Sequence, residues 1–269
     1  MNKMVSHPLS TTNVLISVRS KLESGNYSAQ TIKAYLGQLK IFFRHINPQE
    51  PYTVTAEEIR GYLDQLVEGN LSRSTIDQAV NALDFFSKST LNQPLNLDGF
   101  RRPAKKKVQP VLLTLDEVKK IAISAENPKH RLMIELAYTA GLRVSEVVAV
   151  KVKHLDLANL KLFVPEQENE GEGRTTIFSG SIRDALARQV GNKDPEGLLF
   201  PSERGGALTT RAVAKFFKAA LEVSGVDKPV TPHSLRHSFG AFMLKNGNPP
   251  KVVKTLLGLR RAMPVQGAV

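Results

Sequence analysis

The sequence predicts a mainly α chain with a small β-hairpin, an α+β fold in two parts, on three observations. Apolar residues recur at helical spacing through most of its 269 residues. A basic, proline-containing stretch from Arg101 to Pro110 separates two such regions. Only the second region holds runs with strand character, Leu160-Lys161-Leu162-Phe163-Val164 and Thr175-Thr176-Ile177-Phe178. With 41% hydrophobic residues the chain can bury a real core, which excludes extensive disorder.

The first region reads as four amphipathic helices. Val14, Leu15, Val18 and Leu22 form one stripe. Ser28, a good N-cap, precedes Ile32, Tyr35, Leu36, Leu39, Phe42, Phe43 and Ile46. Thr55 and Glu58 form a capping box ahead of Ile59, Tyr62, Leu63, Leu66 and Val67. Ile76, Ala79, Val80, Leu83 and Phe86 complete the set. Each stripe needs the others for burial, so a small bundle is expected.

The second region opens with another capping box, Thr114 and Glu117, before Val118, Ile121 and Ala122. A helix over Arg131–Tyr138 is interrupted at Thr139-Ala140-Gly141 and followed by one through Val147 and Val148. The two strands flank a polar loop, Gln167 to Arg174, and helices are expected at Ile182–Val190 and Ala212–Val223. Thr231 and Pro232 start a further helix that Asn246-Gly247 closes, and a last short one stops at Gly258. The expected organisation is a helical domain over 1–100, a linker over 101–112 and a second domain over 113–269.

Composition narrows the function. Without cysteine there is no disulfide framework, thiol nucleophile or cysteine-ligated zinc. The N-terminal residues lack a signal-peptide core, and no run approaches the ~20 apolar residues of a membrane span, so a soluble cytoplasmic protein is expected. The formal net charge of +12 is unevenly placed. Residues 1–100 carry nine basic and nine acidic residues; the linker carries Arg101, Arg102, Lys105, Lys106 and Lys107 without an acid; residues 113–269 carry 23 basic against 16 acidic. Such one-sidedness suits a polyanion, most often nucleic acid, and the linker cations are candidate DNA contacts.

Two segments hold candidate chemistry. In Thr139-Ala140-Gly141-Leu142-Arg143-Val144-Ser145-Glu146, Gly141 permits a sharp turn and Arg143 falls at a helix start. Its planar fork suits bidentate phosphate contact, and a plain pairing with Glu146 is the alternative. In Thr231-Pro232-His233-Ser234-Leu235-Arg236-His237-Ser238-Phe239-Gly240, positions 233, 236, 237 and 240 share one helix face, with Leu235, Phe239, Phe242 and Met243 opposite. The histidines lack a third metal ligand at the usual spacing, so no metal or cofactor is expected, and an arginine between imidazoles suits an oxyanion.

Taken together, in this order and after a helical bundle and basic linker, these segments resemble the tyrosine recombinase (Xer-like, phage-integrase) family over about residues 10–258. Val111 to Val118 and Lys254-Thr255-Leu256-Leu257-Gly258 add to the likeness. The resemblance implies an N-terminal SAM-like core-binding domain and a catalytic domain that clamp duplex DNA like a C. It implies attack by a tyrosine on the scissile phosphate, giving a 3′-phosphotyrosyl link. Arg143, His233 and Arg236 match family catalytic positions, Glu146 a position that orients the arginine, and His237 a supporting one. Expected partners are duplex DNA with recombination-site-like arms and other recombinase protomers, self or related, at the nucleoid, with no membrane.

Three family features are absent. No lysine lies between Lys161 and Lys193, where the family's hairpin carries its general acid, and the loop bears Glu168, Glu170 and Glu172 with Glu166 before it. Leu259 stands where the family has histidine or tryptophan. No tyrosine follows Tyr138, which falls in an apolar stripe and reads as core. The expectation is therefore a DNA-binding relative, truncated or divergent after 258, in which strand cleavage is impaired. An enzyme using a tyrosine supplied in trans, and a non-catalytic assembly partner of active recombinases, are the alternatives.

Overall fold

A computed structural model describes residues 11–47, 49–104, 109–165 and 173–259. The chain divides into two compact units, residues 1–107 and 108–269.

The first unit holds α1 (Thr11–Ser24), α2 (Ala29–Ile46), α3 (Ala56–Glu68) and α4 (Arg73–Phe86). Ser28 and Ser72 cap α2 and α4, accepting from Thr31 N–H and Thr75 N–H, and Thr55 with Glu58 closes a complete capping box on α3. The predicted stripes converge on one core in which Phe42, Leu63, Leu83 and Phe86 are fully buried. Arg102 of the linker donates to Asp77 at 3.1 Å, a carboxylate that Arg73 also holds at 3.0 Å. Arg101 is exposed, while Lys105, Lys106 and Lys107 lie outside the described residues.

The second unit is built around α6 (Pro128–Thr139), which packs against α5 (Leu115–Ile123), α9 (Thr210–Ser224) and α10 (Pro232–Lys245). Short helices α7 (Val144–Ala149), α8 (Arg183–Val190) and α11 (Pro250–Leu257) complete it. Beside them lies an antiparallel sheet in the order β1 (Leu155–Asp156), β2 (Lys161–Val164), β3 (Arg174–Ile177). The pairing Leu162↔Thr176 turns these two side chains inward, while Phe163 and Ile177 remain exposed. The strand β1 adds to the predicted hairpin; at two residues it is too short to show a period. Lys228 Nζ donates to Glu117 at 2.8 Å and to the Leu112 carbonyl at 3.0 Å, and Leu113 N–H donates to Ser238 Oγ at 2.8 Å, so the chain entering this unit is pinned to its core.

Tyr138 is buried, as the stripe predicts. Phe242 departs from its expected place on an apolar face: it is exposed, because α11 packs instead against Phe239, Met243 and Leu244 of α10. The acidic loop residues Glu166, Glu168, Glu170 and Glu172, and the tail after Leu259, lie outside the described residues.

Candidate functional site

Gly141 makes the site possible. Its φ of +61° ends α6 in the left-handed region, and an added Cβ would lie 2.4 Å from Phe239 Cδ1 and 2.8 Å from Leu257 Cδ2. The end of α6 therefore sits directly on α10 and α11. Thr176 Oγ1 donates to the Ala140 carbonyl at 3.0 Å and brings β3 to the same point.

Around this junction three arginines surround one carboxylate. Glu146, on α7, has a side chain only 2% exposed. Its Oε2 accepts the Arg143 backbone N–H at 2.6 Å, and its Oε1 accepts Arg143 Nη1 at 2.9 Å. Arg174 Nη1 and Nη2 donate to Oε1 and Oε2 at 2.6 and 2.8 Å. Arg236 Nη1 lies 3.4 Å from Oε2 and donates to the Gly141 carbonyl at 2.9 Å, while Nη2 donates to the Leu257 carbonyl. Burial alone would raise the Glu146 pKa. The Arg174 hydrogen bonds, the Arg143 N–H and the charges of Arg174 and Arg236 outweigh it and hold the carboxyl below its ordinary value.

Among the described residues the cluster brings three positive charges to one negative. The Arg143 backbone amide at the start of α7 is taken by Glu146, and the guanidinium groups supply the full positive charges at the site. Arg143 is 25% exposed, whereas Arg174 and Arg236 are 9% and 5% exposed, which makes Arg143 the accessible edge of the group.

Beside it the predicted face of α10 tips from surface to core. His233 is exposed, His237 partly so, and Arg236 and Gly240 are buried. The two imidazoles meet edge to face with centroids 4.5 Å apart. Partial desolvation lowers both pKa values; the charges of His237, Arg236 and Arg143 add to the effect at His233, and that of Arg236 at His237. Neutral rings at pH 7 can accept as well as donate a proton. Leu259 packs apolarly with Phe239, Val253 and Leu257. Among the described residues no group of three or more His, Asp or Glu could hold a metal ion, and no helix is long and apolar enough to cross a membrane.

Sequence reasoning missed two features. Arg174 is the first; it escaped because its partner Glu146 is 28 residues away. The second is on α2, which carries Lys33, Lys40 and Arg44 without a single acid. All three are exposed on one side, with Gly37 open between them, beside a groove lined by Thr12, Ile16 and Arg19 of α1.

Comparison with known proteins decides the family. The phage integrase family pattern matches residues 112–266, and its N-terminal SAM-like domain matches residues 15–97. The chain belongs to the phage integrase family. An integrase/recombinase of Escherichia coli is 30% identical, covering 93% of this chain and 87% of that one. Tyrosine recombinase XerC of Halalkalibacterium halodurans is 31% identical, covering 87% of this chain and 84% of its own. This member of the integrase family also shares its fold with a lambda integrase dimer bound to a core site, at a TM-score of 0.76 and 22% identity over 96% of this chain and 98% of that one.

Proposed function

We propose that this integrase-family chain binds duplex DNA at recombination-site-like arms, alongside other recombinase protomers, in the cytoplasm at the nucleoid. Residues 1–100 serve as the core-binding domain, 101–112 as the linker and 113–269 as the catalytic-type domain. The observation that carries the reading is the convergence of Arg143 and Arg236 on Glu146 beside His233, in a chain of this family. Two guanidinium groups held beside one phosphate stabilise the negative charge that grows on its non-bridging oxygens during transfer. Glu146 orients them, and His237 supports His233. The Lys33, Lys40 and Arg44 side of α2, with Arg101 and the linker lysines, supplies backbone contacts that carry no sequence information.

Residues 1–269 place no tyrosine after Tyr138 and no lysine between Lys161 and Lys193, so the charge-stabilising part of a cleavage site is present without a nucleophile in this stretch. Phosphate binding is the activity that Arg143, Arg236 and His233 support directly. A second reading, cleavage with a tyrosine from a partner protomer, is favoured by the retained arginine pair and His233. Anisotropy titration of a labelled duplex checks the first: binding at low salt that weakens steeply as salt rises is expected, and no binding at low salt overturns it. A nicked duplex that traps covalent adducts checks the second; no adduct at saturation with an active relative present rejects it.

A further inference from the structure

Arg174 makes the closest side-chain contacts to Glu146, and nothing in the family likeness gives it a task. It begins β3, opposite Val164. Its fork grips both Glu146 oxygens, at 2.6 and 2.8 Å, and its Nε donates to the Leu256 carbonyl at 2.8 Å, near the end of α11. Its stem fills the space beside Gly258, where a Cβ would lie 2.8 Å from Arg174 Cδ. One side chain thus joins β3, α7 and α11.

Resting on the reading that the cluster receives a DNA phosphate, we propose that Arg174 is a positioning residue: acting through Glu146 and the end of α11, it fixes where Arg143 and Arg236 present their guanidinium groups, without touching DNA. The carboxylate is the shared anchor of all three arginines. Without the Arg174 fork, Arg143 and Arg236 would shift on Glu146 to satisfy its charge, still reaching an incoming phosphate but in a poorer geometry. The Leu256 carbonyl would lose its donor at the same time. A lysine cannot replace this, because one ammonium group cannot span two carboxylate oxygens and a carbonyl. Facing Glu146 are Arg143 at the start of α7, Arg174 on β3 and Arg236 on α10; His154 shares the wall of the small cavity beside it, and His233 and His237 flank Arg236.

The test uses the full chain, a labelled random-sequence duplex and four variants: R174M, R174K, E146Q and R174M/E146Q. R174M is expected to bind about tenfold more weakly with the salt slope of the parent, since one strong charge-assisted contact is lost but no phosphate contact is. R174K is expected to remain about as weak although folded. In the E146Q background, Arg174→Met should cost less than about twofold, because the residue through which it acts is already neutral. In R174M the Glu146 carboxyl, followed by carbon-13 NMR, should titrate at higher pH than in the parent. A slope reduced by about 0.9 would make Arg174 a phosphate contact and overturn the proposal. Unchanged affinity, restoration by lysine, or an equal effect in both backgrounds overturns it too. If R174M does not fold, R174K and the double variant carry the comparison. A parent that binds no DNA ends the functional reading alone; the Glu146 titration still decides the coupling, and an unmoved carboxyl rejects it.

Discussion

The α2 side of the first unit and the Glu146 cluster of the second both gather positive charge, by opposite means. Lys33, Lys40 and Arg44 stand in solvent on a helix without acids. Exposed charges of this kind are screened within about 10 Å at 0.1 M salt and move freely. Such charges hold no geometry, and their proposed part is affinity alone. In the cluster, Arg174 and Arg236 are largely buried and Arg143 is partly so, around a carboxylate that is itself 2% exposed. Desolvated charges must be paired, so their positions are fixed by the fold. Net charge hides the first arrangement, because residues 1–100 sum to zero. It also understates the second, because Glu146 cancels one charge while organising three.

The largest expected effect breaks the buried arrangement and spares the exposed one. Glu146→Ala leaves three arginines without their anchor and should cost about 3–5 kcal/mol in urea unfolding. The triple change K33A/K40A/R44A should shift stability by no more than about 0.5 kcal/mol per site in the same assay. Equal losses from the two would erase the distinction.

Gly141→Ala comes next. It places a Cβ inside Phe239 and Leu257 at a φ of +61°, and the unfolding free energy should fall by about 3 kcal/mol from strain and overpacking together. Normal stability would mean that α6, α10 and α11 meet less closely than the site requires.

The smallest effect is a pH dependence. His233 and His237 have lowered pKa values in the folded chain and ordinary ones, near 6.5, when unfolded. Below about pH 6.5 the unfolded state therefore binds more protons, and stability falls on acidification. Glu146, an acid whose pKa is also lowered, contributes stability above the ordinary carboxylate range and loses it only at more acid pH, so the two effects occupy separate windows. The fall in Tm between pH 7 and 5.5 should shrink in H233Q/H237Q, with the remainder belonging to His130 and His154, whose pKa values are also lowered. An identical fall in the variant would show that the paired imidazoles stay solvated.

What was legible in the sequence was local. The boxes Thr55/Glu58 and Thr114/Glu117 announce helix starts because both partners lie within one turn, and each forms. The turn at Gly141 and the family motifs could be read for the same reason. Arg174 could not, since its meaning depends on a carboxylate 28 residues away and a carbonyl 82 residues away. The α2 stripe was hidden by summing charge over a domain rather than over a helix face. Phe242 was misplaced because periodicity assigns a face to α10 and cannot say how far α11 covers it.

The central claim is that Arg143 and Arg236 of the Glu146 cluster and exposed Lys33, Lys40 and Arg44 all meet DNA phosphates. The direct measurement is the slope of log affinity against log salt for one duplex, with folding verified in each variant. The parent should give a steep line, K33A/K40A/R44A a slope smaller by about 2.7, and R143A/R236A one smaller by about 1.8. A parental slope in folded R143A/R236A would contradict the account, because the arginine cluster would then hold the fold together without touching DNA.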